Sequence, residues 1–216
     1  MVKVAPSVLN ADFEKKEFWL KEFEEAKIDR IHWDIMDNKY VPNKGVAKEK
    51  ISELRPFTKL SFESHLMVEN PEEYVEEFAS MGSNSFIFHI ETTKKPLELI
   101  KKIRTSGMKV GICINNKTSV NEVLPFLNKI DLVLVMSVEA GFGGQKFNPE
   151  SIEKISVLRK KIDSEELNCE IEVDGGINTE TGKKVVDAGA NVLVAGTAVF
   201  KHSQGIKFAI NELQNL

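Results

Sequence analysis

Eight times along 216 residues, a short run of β-forming residues is followed by a polar turn. In most of the repeats a segment with helical spacing comes next. The strand-like runs lie near Val2–Val8, Arg30–Met36, Ser61–Met67, Asn84–Ile90, Lys109–Ile114, Leu132–Ser137, Cys169–Asp174 and Asn191–Ala195. Apolar residues between them recur at helical intervals: Phe18, Leu20, Phe23 and Ala26; then Tyr74, Val75, Phe78 and Ala79; then Leu97, Ile100 and Ile103; then Ile152, Ile155, Leu158 and Ile162. Asn70-Pro71-Glu72-Glu73 and Asn148-Pro149-Glu150 read as helix starts, with a cap residue, proline at the first helical position and acids in the first turn. Gly82, Gly107 and Gly189 fall where helices should stop. Strands that alternate with helices must pair in parallel. Eight such units in so short a chain predict an α/β fold, a single-domain (β/α)8 TIM barrel over residues 1–216. No Pro- or Ser-rich linker divides the chain. A doubly wound open sheet is the alternative, disfavoured because no Gly-x-Gly-x-x-Gly follows the first strand.

Composition narrows the function. Charged residues make up 29% and net charge is -4, with no basic block or acidic tail. This argues against nucleic acid or a membrane surface as the partner, but leaves room for a small anion pocket. No segment reaches the roughly 18 apolar residues of a membrane-spanning helix. Met1-Val2-Lys3-Val4-Ala5-Pro6 is not a signal peptide. Cys113 and Cys169 sit in apolar runs without partners at metal-ligand spacing, so they read as buried, reduced thiols of a cytoplasmic protein.

In a barrel, chemistry belongs at the C-terminal strand ends, and the unusual residues lie there. His32, Asp34 and Met36 share one face of the second strand, with Trp33 and Ile35 on the other. An imidazole and a carboxylate on a buried face must be satisfied. Hydrogen bonds to neighbours would do so, and so would a divalent metal. The third strand brings His65 and Met67 on one face; the seventh brings Glu170, Glu172 and Asp174. Two histidines and two aspartates can thus converge at one mouth, a donor set suited to Zn²⁺, Fe²⁺, Mn²⁺ or Co²⁺. Gly141-Phe142-Gly143-Gly144-Gln145, Gly175-Gly176 and Gly196-Thr197 follow strands six, seven and eight. Glycines on that rim let backbone N–H groups approach a phosphate. His89 reads as a buried structural residue and His202 as a surface one.

Ala5-Pro6-Ser7-Val8-Leu9, His32-Trp33-Asp34-Ile35-Met36-Asp37, Val41-Pro42-Asn43, Ser64-His65-Leu66-Met67-Val68-Glu69-Asn70-Pro71, Met136-Ser137-Val138-Glu139, the glycine loop, Glu172 to Ile177 and Ala195 to Phe200 together resemble ribulose-phosphate 3-epimerases, in register along essentially the whole chain. The resemblance implies interconversion of D-ribulose 5-phosphate and D-xylulose 5-phosphate, a step of the pentose phosphate pathway, through a 2,3-enediolate. It implies one divalent metal (Zn²⁺ or Fe²⁺, with Mn²⁺ or Co²⁺ as further candidates) on His32, Asp34, His65 and Asp174. Asp34 and Asp174 would also be the acid/base pair. Ser7, Met36, His65, Met67, Met136, Gly141, Gly143, Gly144, Asp174, Gly175, Gly176, Gly196 and Thr197 would line the substrate site. The partner would be a small sugar phosphate, and the assembly a homo-oligomer, a dimer or a hexamer. Several positions depart from the family pattern. Asn38 replaces a glycine, Ala140 a proline and Thr197 a serine. Lys44-Gly45-Val46-Ala47-Lys48 and Asn116-Lys117-Thr118 change two loops. Loop changes bear on which sugar fits, so a D-allulose 6-phosphate 3-epimerase is the alternative, and a non-catalytic sugar-phosphate-binding barrel a weaker one.

Overall fold

Alternation decides the architecture, because each strand must bury both of its faces. The computed structural model describes residues 2–216. Strands β1 (Lys3–Pro6), β2 (Arg30–Met36), β3 (Ser61–Met67), β4 (Ser85–His89), β5 (Lys109–Ile114), β6 (Leu132–Met136), β7 (Glu170–Asp174) and β8 (Val192–Ala195) form one parallel sheet, ordered β1-β8-β7-β6-β5-β4-β3-β2. A parallel bridge from Ser7 to His32 brings the two edges together, so the sheet is a nearly closed barrel. Helices α1 (Lys16–Glu25), α2 (Glu49–Leu54), α3 (Val75–Ser80), α4 (Pro96–Thr105), α5 (Ser151–Ser164), α6 (Thr179–Asp187), α7 (Thr197–Phe200) and α8 (Ile206–Gln214) connect them. The link from β5 to β6 has no α-helix; it makes 3-10 turns at Val120–Glu122 and Leu124–Lys129 and packs through Val123 and Leu127.

The outward strand faces (Ile31, Trp33, Phe62, Phe86, Phe88, Val110, Ile112, Val133, Ile171, Leu193) join the helices in one large apolar core. The inward faces divide into two zones. Ala5, Ile87, Leu132, Leu134, Val192 and Val194 are apolar. His32, Asp34, Glu63, His65, His89 and Glu172 are polar and buried. Among the described residues, no helix is long and apolar enough to cross a membrane.

Two helix stripes differ from the expected ones. Phe18 and Leu97 are exposed, at 58% and 54%, and Trp19 and Leu99 are buried instead. The apolar spacing is right, but each stripe is rotated by a residue or two: Trp19 takes the inward place of Phe18, and Leu99 that of Leu97. Asn70 does not cap through its side chain. It adopts a left-handed φ of 50° and opens a 3-10 turn, Pro71–Glu73. Asn148 does accept from the Glu150 N–H at 3.1 Å, just before α5. Gly82, Gly107 and Gly189 end their helices at positive φ, as expected. Asn38 takes a φ of 58°, so the turn that a glycine would make survives with asparagine.

Candidate active site

Parallel register places the polar residues together. Asp34 pairs with His65 across β2 and β3, and Met136 with Asp174 across β6 and β7. Ligand atoms of His32, Asp34, His65 and Asp174 all lie within 4.8 Å of one another. His32 Nε2 and His65 Nδ1 are 3.4 Å apart. Both face Asp34 Oδ1, at 3.5 and 3.2 Å. Asp174 Oδ2 stands 4.0 Å from His65 Nδ1. Two nitrogens at about 2.1 Å from a tetrahedral metal lie roughly 3.4 Å apart, so the two imidazoles already hold ligand spacing. The donor set, two imidazoles and two carboxylates, fits a divalent transition ion.

The remaining atoms of these groups are held from behind. Ser7 Oγ donates to Asp34 Oδ2 at 2.6 Å. Glu63 Oε1 lies 3.0 Å from His32 Nδ1, and Glu63 Oε2 accepts from Arg30 at 3.0 Å. Arg30 also reaches Glu170 on β7, at 2.8 Å. A charged column therefore runs down the barrel axis, from Asp34 through His32 and Glu63 to Arg30. Glu172 joins it only through a 3.4 Å approach to His32 Nδ1, and neither of its oxygens finds a hydrogen bond. A buried carboxylate in that position resists ionisation: burial and then the Glu63 charge push it up.

The two aspartates are driven apart. Burial alone would raise Asp34, but His32 and His65 outweigh it and hold its carboxyl far below the usual range. Burial, followed by the Asp34 charge, pushes Asp174 up to about 7. Asp174 is also the more open of the two, with 19% of its side chain exposed against 6%.

Above this floor lies a cleft. Ser7, Asp34, Met36, Met67, Met136 and Asp174 line its base. Gly141, Gly143, Gly144, Gly175, Gly176, Gly196 and Thr197 line its rim. Every expected substrate-site residue reaches the cleft surface except His65, which is fully buried beneath it. Leu9, Asn10, Glu139, Phe142, Gln145 and Ile177 also line it, although the sequence alone did not single them out for this role. The glycine loop is fastened at both ends. Asn43 Nδ2 donates to the Gly141 carbonyl at 2.7 Å, and Gln145 Nε2 to those of Glu139 and Phe142 at 2.6 and 2.7 Å. Gly176 has a left-handed φ of 63°, and a Cβ there would meet Phe147 N at 2.8 Å. Gly176→Ala should therefore cost about 1–3 kcal/mol of stability and displace the glycine loop. The expected result is a lower melting temperature and a rise of roughly tenfold in KM with kcat less affected, for whatever substrate occupies the glycine rim, read by thermal denaturation and steady-state kinetics.

The fold and cleft define the class, a TIM-barrel protein with a polar floor and a glycine rim at the C-terminal strand ends. The model of the ribulose-phosphate 3 epimerase family matches residues 3–200. The chain is 43% identical to the ribulose-phosphate 3-epimerase of Schizosaccharomyces pombe, covering 99% of this chain and 92% of that one. It is 40% identical to the Bacillus subtilis enzyme of the same name, covering 99% of each. It is 44% identical to a cytoplasmic isoform from Oryza sativa, over 92% and 87% of the two chains. The chain belongs to the ribulose-phosphate 3 epimerase family, and its enzymatic class is carbohydrate isomerase. A solved structure of 3-hexulose-6-phosphate synthase superposes with a TM-score of 0.73 at 14% identity, covering 99% of this chain and 98% of that one. Phosphoribosyl anthranilate isomerase from Thermus thermophilus gives 0.69 at 11%, over 99% and 98%. At that identity the likeness is one of fold.

Proposed function

We propose that this chain inverts C3 of D-ribulose 5-phosphate to give D-xylulose 5-phosphate, and the reverse, as a step of the pentose phosphate pathway. One observation carries the reading: His32, Asp34, His65 and Asp174 bring four ligand atoms within 4.8 Å, at the base of a glycine-rimmed cleft. His32, Asp34, His65 and Asp174 would hold a divalent cation, Zn²⁺ or Fe²⁺ by this donor set, which would supply Lewis-acid stabilisation of the developing oxyanion.

The chain's own residues do the rest. The C3 proton is acidified by the neighbouring C2 ketone. Its removal gives an enediolate, and inversion requires a proton to return on the opposite face. One carboxylate takes the proton and the other gives one. Asp34 on β2 and Asp174 on β7 are that pair, one on each side of the substrate plane, and each changes its protonation state in the course of one turnover. Ser7 holds the Asp34 carboxylate in place through its 2.6 Å bond. Met36, Met67 and Met136 keep water from the reacting carbons. Backbone N–H groups of Gly143, Gly144, Gly176, Gly196 and Thr197 receive the phosphate.

The test is a coupled assay on two ketose phosphates. The expected kcat/KM for D-ribulose 5-phosphate exceeds that for D-allulose 6-phosphate at least tenfold. The opposite order would transfer the reading to the hexulose substrate. Tight binding of both without turnover would leave only a binding protein.

A further inference from the structure

His89 ends β4 outside the four-residue cluster and outside the cleft lining, yet it is completely buried. Its ring lies nearly parallel to that of His65, at 20° with centroids 5.0 Å apart. His65 turns Nδ1 toward Asp34, His32 and Asp174, which leaves Nε2 on the far side. That nitrogen is 2.9 Å from His89 Nε2. Two ring nitrogens at this distance share one hydrogen, and one of them must donate.

The direction of that bond follows from what surrounds it. If His65 gives its Nδ1 lone pair to a cation, its hydrogen sits on Nε2. His89 Nε2 must then accept, and the hydrogen of His89 sits on Nδ1. Two acceptors face that atom: Tyr40 Oη at 3.2 Å and Glu91 Oε2 at 3.5 Å. Glu91 is anchored in turn, accepting from the Asn115 N–H at 3.1 Å and from the Thr118 hydroxyl. Tyr40 Oη accepts from Asn115 Nδ2 at 2.5 Å. The chain of bonds thus ends on a carboxylate, and an ionised carboxylate can only accept. With a cation on His65 Nδ1, the ring hydrogens of His65 and His89 therefore both point away from the cluster, and the Tyr40 hydroxyl, which can donate or accept, acts as an acceptor toward His89.

We propose that His89 is a positioning residue for His65: it fixes the tautomer and ring plane in which His65 presents Nδ1 to a divalent cation, and Glu91 and Tyr40 fix His89. The inference rests on the cation reading of the cluster given above. A rival arrangement would place a second ion among His65, His89 and Cys113, whose ligand atoms also lie within 4.8 Å of one another. The 2.9 Å nitrogen separation speaks against it, being a hydrogen-bond distance and shorter than the roughly 3.4 Å of two nitrogens on one tetrahedral ion.

The test is equilibrium competition for Zn²⁺ between a chelator and the full chain, as wild type, His89→Gln, His89→Phe and Cys113→Ser. Thermal denaturation of each metal-free protein is measured alongside. Gln keeps an acceptor toward His65 Nε2; Phe keeps the ring's bulk and offers none. The expected result is one ion per wild-type chain, a loss of about 10–100-fold in affinity for His89→Phe and recovery to near wild type in His89→Gln. Wild-type affinity in His89→Phe overturns the inference. So do equal losses in both His89 variants that merely track their melting temperatures. A second bound equivalent that disappears in Cys113→Ser overturns it in favour of the two-ion centre. A wild type that binds no divalent ion overturns the cation reading itself, and this inference with it.

Discussion

Asp174→Asn is expected to slow epimerisation by roughly 10²–10⁴-fold, the usual worth of a positioned acid or base, in a protein that remains folded. The fold does not depend on the carboxylate. Just past the end of β6, Ser137 holds Asp174 by its backbone carbonyl, which accepts from Ser137 N and Ser137 Oγ at 2.7 and 2.9 Å. In the metal-free chain its charge even opposes folding. Its folded value of about 7 lies above the ordinary 3.8, so the folded state holds the proton more tightly. Stability from this group is thus present at low pH and lost as pH rises from about 3.8 through about 7. Asparagine carries no such charge, so the variant's melting temperature at pH 8 should equal or exceed that of the wild type. Asp174 is also one of the four candidate ligands, so kinetics are compared at saturating metal. Solvent exchange gives the sharper readout. With Asp34 alone, one epimer should still trade its C3 hydrogen for deuterium, because the same carboxylate can remove and return it on one face. Inversion should nearly stop. Turnover close to wild type would remove Asp174 from the chemistry.

The pattern of the chain made the barrel legible, because strand alternation and the parallel constraint are local. β2, β3 and β5 occupy the residues that alternation marks, since each stretch ends at polar turn residues. The helix faces were harder. An apolar spacing of three or four residues does not say whether Phe18 or Trp19 points inward, and only packing settles it. At the site, His32, Asp34, His65 and Asp174 stood out because histidine and aspartate are costly on a buried strand face. Arg30, Glu63 and Glu172 lie on the same inward faces, two residues away, and the pattern of the chain carries no signal of their mutual pairing. Charged residues in a strand ordinarily mark the solvent side, and only closure of the barrel shows that these charges face one another. Arg30 finds Glu63 and Glu170 across three strands, a pairing with no sequence signal beyond shared parity. His89 was legible as buried but not as a partner of His65. The neighbour relation runs between adjacent strands, yet the hydrogen-bond direction depends on what the other imidazole nitrogen does.

Removing the metal should abolish activity to below about 1%, and a single added ion among Zn²⁺, Fe²⁺, Mn²⁺ and Co²⁺ should restore it. The same experiment carries a pH signature with a definite sign. In the metal-free chain, burial works against a charge on His32, but Asp34, Glu172 and Glu63 outweigh it and hold His32 well above its ordinary 6.5. Its proton answers the surrounding carboxylates. A cation can take Nε2 only after that hydrogen leaves, whereas the Nδ1 hydrogen stays on its 3.0 Å bond to Glu63. Asp174, raised to about 7, must also ionise to become a ligand. Metal binding near neutral pH should therefore release about one to two protons. Affinity should rise by about 10- to 100-fold per pH unit below 7, and more gently above it as Asp174 ceases to contribute. Calorimetric titration of the metal-free protein in two buffers of different ionisation enthalpy counts those protons directly. An affinity that does not change between pH 6 and 8 would mean that His32 and Asp174 are not ligands. Full activity after complete removal of metal would mean that the two carboxylates work alone, with the charged column beneath them as their only electrostatic support.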